Sequence, residues 1–137
     1  MKQKHLVAFL KTAEAFAECS HSKRLKVGAV AVKDGNIIGV GYNGMPSGMH
    51  NGCEGEDGNT LPEVIHAEQN ALNKILKSNN SSVGCEMIIT HSPCLQCAIK
   101  MVDAGVGKVY YENEYRNTDG IDWLVKNNIE VERINEL

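Results

Sequence analysis

Leu6, Phe9, Leu10, Ala13, Phe16 and Ala17 stand three and four residues apart, and this spacing predicts an amphipathic helix over residues 4–19. The period then changes. Val27 to Val32 and Ile37 to Val40 are β-rich runs flanking Asp34-Gly35, which predicts a hairpin because glycine accepts a positive φ. Residues 43–59, rich in glycine, asparagine and proline, read as a long loop of the kind that is usually functional or disordered. A helix follows from about Leu61 or His66 to Lys77, then a short buried strand at Met87-Ile88-Ile89. Pro93 opens another helix and Gly105 closes it. Val109-Tyr110-Tyr111 forms the next strand, Ile121 to Lys126 a short helix, and Ile129 to Ile134 a last strand.

The order is α-β-β-α-β-α-β-α-β. The first two strands pair antiparallel, while the later ones join through helical crossovers of the length that parallel pairing needs. The expected fold is α/β: a mixed five-stranded sheet with helices on both faces, a three-layer α/β/α sandwich. Residues 1–137 read as one domain. In such folds ligands gather at the carboxyl ends of strands and the helix starts that follow.

Composition narrows the function. Apolar content of 42% and charged content of 23% fit an ordinary globular chain, and no apolar run is long enough to span a membrane. The basic start Met1-Lys2-Gln3-Lys4-His5 leads into an apolar stretch that Lys11 cuts short. That is too brief for a signal-peptide core, so the expected location is cytoplasmic. A net charge of 14 − 17 = −3 argues against nucleic-acid binding by bulk charge. An anionic ligand would need a local cluster, and Ser22-Lys23-Arg24-Leu25-Lys26 is the compact one. Five cysteines, an odd number in a chain of this size, favour metal or catalytic use over a disulfide framework.

Ser92-Pro93-Cys94-Leu95-Gln96-Cys97 admits three readings: half of a zinc site, a redox dithiol, or two buried small residues one turn apart. Upstream, Ile65-His66-Ala67-Glu68-Gln69 supplies a partner. Residues two apart on a helix point to nearly opposite sides, so His66 and Glu68 can share a site only in the first turn. Cys94 and Cys97 share a face. Two facing helix N-termini would bring His66, Cys94 and Cys97 together as three Zn2+ ligands, leaving a fourth position for water. The helix dipoles would favour thiolate, and Glu68, not a ligand, could carry protons. His-x-Glu followed by Pro-Cys-x-x-Cys resembles the pattern of zinc-dependent nucleobase deaminases. A redox dithiol gives no role to His66 or Glu68.

From about Ala8 to Ile134 the chain resembles the deoxycytidylate deaminases of the cytidine-deaminase-like superfamily. The resemblance is carried by Val27-Gly28-Ala29-Val30, by Gly41-Tyr42-Asn43-Gly44-Met45-Pro46-Ser47-Gly48, by Pro62 to Ala71, and by Ser92 to Cys97. It implies zinc-dependent hydrolysis of dCMP to dUMP and ammonia, supplying dUMP for thymidylate synthesis. Water activated at the zinc would attack C4 while Glu68 protonates N3 and the departing amino group. Ala67 and Asn43 fall at substrate-contacting positions, Asn43 as a candidate for a sugar hydroxyl; a turn asparagine is the plainer reading. Tyr115 matches an aromatic that helps cover the substrate, or is an ordinary loop tyrosine. For the phosphate the candidates are Lys23, Arg24, Lys26 and Arg116, unless these form only a solvated face. Arg24 and Lys26, alternating in what could already be strand, are favoured, followed by Arg116.

The resemblance further implies a homohexamer, activated by dCTP with Mg2+ and inhibited by dTTP, with Tyr42, Asn43 and Gly44 at the effector site. Lys77 stands where some relatives have arginine, which keeps the charge without the bidentate fork. His50 and Cys53 do not complete a second zinc site, and Cys19 and Cys85 read as buried small residues. Two alternatives stay open: a deaminase acting on dCTP, a free nucleoside or tRNA, and a non-catalytic zinc-stabilised binding module.

Overall fold

The structure, a computed structural model, describes residues 1–134. Its elements follow the expected order: α1 (Gln3–Ala17), β1 (Gly28–Lys33), β2 (Asn36–Tyr42), α2 (Ala67–Leu76), β3 (Glu86–His91), α3 (Leu95–Asp103), β4 (Lys108–Asn113), α4 (Asp119–Lys126) and β5 (Glu130–Arg133). The five strands form one sheet in the order β2-β1-β3-β4-β5. β1 pairs antiparallel with both β2 and β3, whereas β3–β4 and β4–β5 are parallel. The hairpin turns at Asp34 and Gly35, both at positive φ (51° and 79°). Two consecutive residues in that region match the right-handed twist of the flanking strands.

The period-two alternation sorts the strands' side chains into two cores. Val30, Val32, Ile88 and Tyr110 pack under Leu6, Leu10 and Ala13 of α1. On the opposite face, Ala29, Ala31, Met87, Ile89 and Val109 pack against α2, α3 and α4 through Ala71, Ile75, Met101 and Leu124. Sheet and helices therefore make the three expected layers.

Three local expectations are corrected. Of the two helix starts expected, Leu61 is corrected in favour of the one at His66: the helix begins at Ala67, because Ile65 is tied into a bridge with Gly44 and His66 is extended (φ −69°, ψ 156°) as its N-cap. Arg24 and Lys26 precede the first strand, which begins at Gly28. Cys19 is exposed in the turn after α1, while Cys85 is buried as expected. The glycine-rich loop is pinned as well. Glu54 pairs with Thr60 in a second bridge, and its carboxylate accepts hydrogen bonds from Ser22 Oγ (3.0 Å) and the Lys23 N–H (3.1 Å).

Candidate active site

The site forms where two helix starts meet at the carboxyl end of β3. His66 is the N-cap of α2 and Cys94 the N-cap of α3, both in extended conformation. Because His66 stands just outside its helix and Glu68 just inside, side chains two residues apart can turn toward one cavity. Cys97 lies in the first turn of α3, one turn on from Cys94. His66 Nδ1 is 3.5 Å from Cys94 Sγ and 3.3 Å from Cys97 Sγ, and the three ligand atoms lie within 4.8 Å of one another. A tetrahedral zinc with bonds of about 2.1 Å to nitrogen and 2.3 Å to sulfur sets N and S about 3.6 Å apart. The cluster fits that ion.

Electrostatics favours a cation here. The hydrogen bond from the Cys97 thiol, with the neighbouring His66, pulls the Cys94 thiol down to about 4. The bond it donates to Cys94, and burial, push the Cys97 thiol up. A divalent ion held by His66, Cys94 and Cys97 would replace the proton the pair shares and stabilise both thiolates. Glu68 is 5% exposed, and burial raises its carboxyl to about 7. It sits where the positive end of the α2 dipole is felt.

These groups open onto a cavity of about 500 Å³. His66, Ala67, Glu68 and Cys94 line it together with Arg24, Asn43, Tyr115 and Arg116. A family model described as the cytidine and deoxycytidylate deaminase zinc-binding region matches residues 3–113. The chain belongs to this deaminase family.

Among solved structures, it is similar to the dCMP deaminase of cyanophage S-TIM5 in complex with dCMP and dUMP. That likeness has 55% identity and a TM-score of 0.95, covering 98% of this chain and 99% of the other. It is 37% identical over 120 residues to ComE operon protein 2 of Bacillus subtilis, covering 85% of this chain and 58% of that protein. It is 34% identical to the deoxycytidylate deaminase of Homo sapiens, covering 81% of this chain and 66% of that protein. The chain thus spans somewhat over half to two thirds of the length of these two relatives.

In this deaminase the expected substrate residues part company. Arg24, Asn43, Ala67, Tyr115 and Arg116 line the cavity. Lys26 does not; its ammonium lies 3.9 Å from the Glu18 carboxylate on the exposed surface. Lying in coil before β1 begins at Gly28, it has no reason to share a side with Arg24. Arg24 Nη1 donates to Asn59 Oδ1 at 3.2 Å, so the glycine-rich loop holds it at the cavity rim. Asn43 uses its amide on backbone: Oδ1 accepts from the Val27 N–H (2.9 Å) and Nδ2 donates to the Leu25 carbonyl (2.8 Å). Tyr42 and Gly44 lie beside the start of α2, where the Asn70 amide donates to the Tyr42 carbonyl. Lys77 is the exposed C-cap at the far end of the same helix, about 15 Å away for ten residues. In the glycine-rich loop, His50 Nδ1 accepts from the Gly52 N–H and Cys53 is buried.

Sequence reasoning passed over His91 and Ser92. Both line the cavity, and Ser92 Oγ accepts from the Tyr115 N–H at 2.9 Å. A signal for His91 was there: it falls four residues after Met87, on the same sheet face.

Proposed function

We propose that this deaminase domain hydrolyses dCMP to dUMP and ammonia. The observation that carries the reading is the His66, Cys94 and Cys97 cluster with Glu68 on one wall of a cavity whose lining also includes Arg24 and Arg116. Likeness to a cyanophage enzyme bound to dCMP and dUMP supports it.

A zinc ion held by His66, Cys94 and Cys97 supplies the Lewis acidity that makes a water nucleophilic near neutral pH. The chain's own residues do the rest. Water adds at C4 of cytosine, and the C4–amino bond breaks to leave a carbonyl. Glu68 takes a proton from the water and passes it to N3, then takes the remaining hydroxyl proton from the C4 adduct and delivers it to the departing amino group. A carboxyl raised to about 7 by burial is matched to giving and taking protons at that pH. The low-dielectric wall also strengthens its contacts with the developing charge. Tyr115 offers a ring to the base, and the guanidinium forks of Arg24 and Arg116 suit a phosphate.

The reading extends to control and setting: a homohexamer in the cytoplasm, residues 1–137 as one catalytic domain, activated by dCTP with Mg2+ and inhibited by dTTP. Asn43 supports a regulatory link, since it lines the cavity within the Tyr42–Gly44 segment. Lys77, at the other end of α2, would reach an effector held at that segment only across a contact between subunits.

The test is turnover of dCMP, deoxycytidine, dCTP and a tRNA in parallel by the zinc-loaded protein, with and without dCTP–Mg2+ or dTTP. Preference for dCMP is expected. Turnover of tRNA alone, or of nothing, would overturn the reading.

A further inference from the structure

Tyr115 is held by two consecutive residues, His91 at the end of β3 and Ser92 just past it. Its N–H donates to Ser92 Oγ at 2.9 Å, and its ring stacks on His91 with centroids 5.6 Å apart and planes 28° from parallel. His91 in turn is fixed by Thr90, whose Oγ1 lies 2.9 Å from His91 Nδ1. That hydroxyl already accepts the Gly28 N–H at 3.1 Å, and Thr90 is 4% exposed. A hydroxyl has one hydrogen. Among the described residues its one acceptor is His91 Nδ1, so the O–H donates there; a proton on Nδ1 would leave a buried hydroxyl without an acceptor. That pairing favours the neutral imidazole with its proton on Nε2. Burial also disfavours its charged form.

A neutral ring, tethered at one nitrogen, makes a flat plate of fixed orientation. The register puts it on the face of Met87 and Ile89, toward α2 and α3. We infer that His91 is a positioning residue: a plate locked by Thr90, against which the Tyr115 ring is held in place over the pyrimidine pocket. The inference rests on the dCMP reading only for the identity of the ligand.

Three variants separate plate from hydrogen-bond donor: His91→Ala, His91→Phe and His91→Gln. In the zinc-loaded protein, His91→Ala is expected to raise the dUMP Kd and the dCMP KM roughly three- to tenfold, with kcat within about twofold. His91→Phe, which keeps a ring but loses the Thr90 tether, should recover most of both; His91→Gln should not. The Tyr115 ring-proton resonances, assigned with Tyr115→Phe, give a readout that needs no nucleotide. They should shift in His91→Ala and His91→Gln, and less in His91→Phe. If His91→Ala does not fold, the phenylalanine and glutamine variants decide alone. Resonances and affinities unchanged in His91→Gln, or rescue by glutamine and not phenylalanine, would overturn the inference. Wild-type protein that neither binds dUMP nor turns over dCMP would sink the dCMP reading instead, while the resonances still decide on the plate.

Discussion

Gly41 of β2 lies so close to Ala67, the first residue of α2, that a Cβ on Gly41 would fall 2.2 Å from the Ala67 carbonyl oxygen. The next nearest atom, the Ala71 backbone nitrogen, would be 2.5 Å away. Both obstacles are backbone, which cannot rotate aside. The glycine thus sets how tightly α2 seats on the sheet, and with it where His66 and Glu68 stand. Gly41→Ala is expected to cost about 1–3 kcal/mol, seen as a lowered unfolding midpoint. Zinc affinity should fall with it, because the His66 ligand moves while the two cysteines stay. Gly44→Ala is the control: nothing lies within 4 Å of a Cβ there, so its midpoint should move little.

Glu68 can be neutralised without changing its shape. Glu68→Gln should lower kcat by about 10²–10⁴-fold or more, the usual worth of a positioned acid–base group. Zinc content should stay stoichiometric, since the ligand cluster comprises His66, Cys94 and Cys97. Stability should hold or rise, because burial penalises the native carboxylate and an amide carries no such charge. Metal analysis, turnover and thermal unfolding on one preparation check all three. Loss of zinc in this variant would make Glu68 a structural group.

The order of elements, the hairpin turn and the metal triad were legible in the sequence because each rests on local rules. Apolar period distinguishes helix from strand, Asp34-Gly35 fixes the turn, and Pro93 and Cys94 mark a helix start. What the sequence hid depends on where the chain bends between elements. Arg24 and Lys26 read as one face only while residues 24–26 counted as strand; in the coil before Gly28 they diverge. Cys19 read as buried by residue type, but the turn after α1 puts it in solvent. His91 was legible by parity, yet its partner Tyr115 comes 24 residues later on a loop. No periodic pattern predicts that pairing.

Four of the five cysteines sort clearly by environment, which a thiol-labelling experiment can read. Cys19 is exposed and should label first in the zinc-loaded protein. Removing zinc with a chelator should abolish activity and open the half-buried Cys94, which its hydrogen-bonding neighbours hold as thiolate. The buried Cys97 should follow. Cys85 is pushed up to about 11 by burial, so roughly one thiol in a thousand is ionised at pH 8, and it should label only on unfolding. Mass spectrometry with iodoacetamide, before and after chelation, gives the order. Rapid labelling of Cys94 with zinc in place would contradict its place as a ligand.

The two cavity arginines and Lys26 make a matched set of cations. Arg24→Ala and Arg116→Ala should each raise KM for dCMP about tenfold or more, the worth of a charge-assisted hydrogen bond. They should leave deoxycytidine, which lacks the phosphate, little affected. Lys26→Ala should change neither substrate, because its ammonium lies against the exposed Glu18 carboxylate and such pairs contribute little. The ratio of dCMP to deoxycytidine efficiency is the measurement. A Lys26 effect equal to that of Arg24 would mean the phosphate sits nearer the α1–β1 turn than the cavity lining indicates.

Asn43 brings together a brace and a candidate ligand contact, and substitution tells them apart. Its amide ties the Val27 N–H to the Leu25 carbonyl, its own carbonyl accepts from Ser20 Oγ at 2.7 Å, and Arg24 lies within the segment so held. Asn43→Ala leaves a part-buried donor and acceptor unpaired, at a cost of about 1–3 kcal/mol. It should also raise KM for dCMP by freeing Arg24, so its effect should not add to that of Arg24→Ala. Asn43→Asp keeps the acceptor for Val27 but turns a carboxylate oxygen toward the Leu25 carbonyl oxygen. The protonated form can donate there and the charged form cannot, so the introduced carboxyl binds its proton more tightly folded than unfolded. Its stability deficit against wild type should therefore shrink as pH falls through about 5 to 4 and be full at pH 7. Unfolding midpoints across that range check the sign. A KM change in Asn43→Ala with no loss of midpoint would instead make Asn43 a direct contact to the sugar.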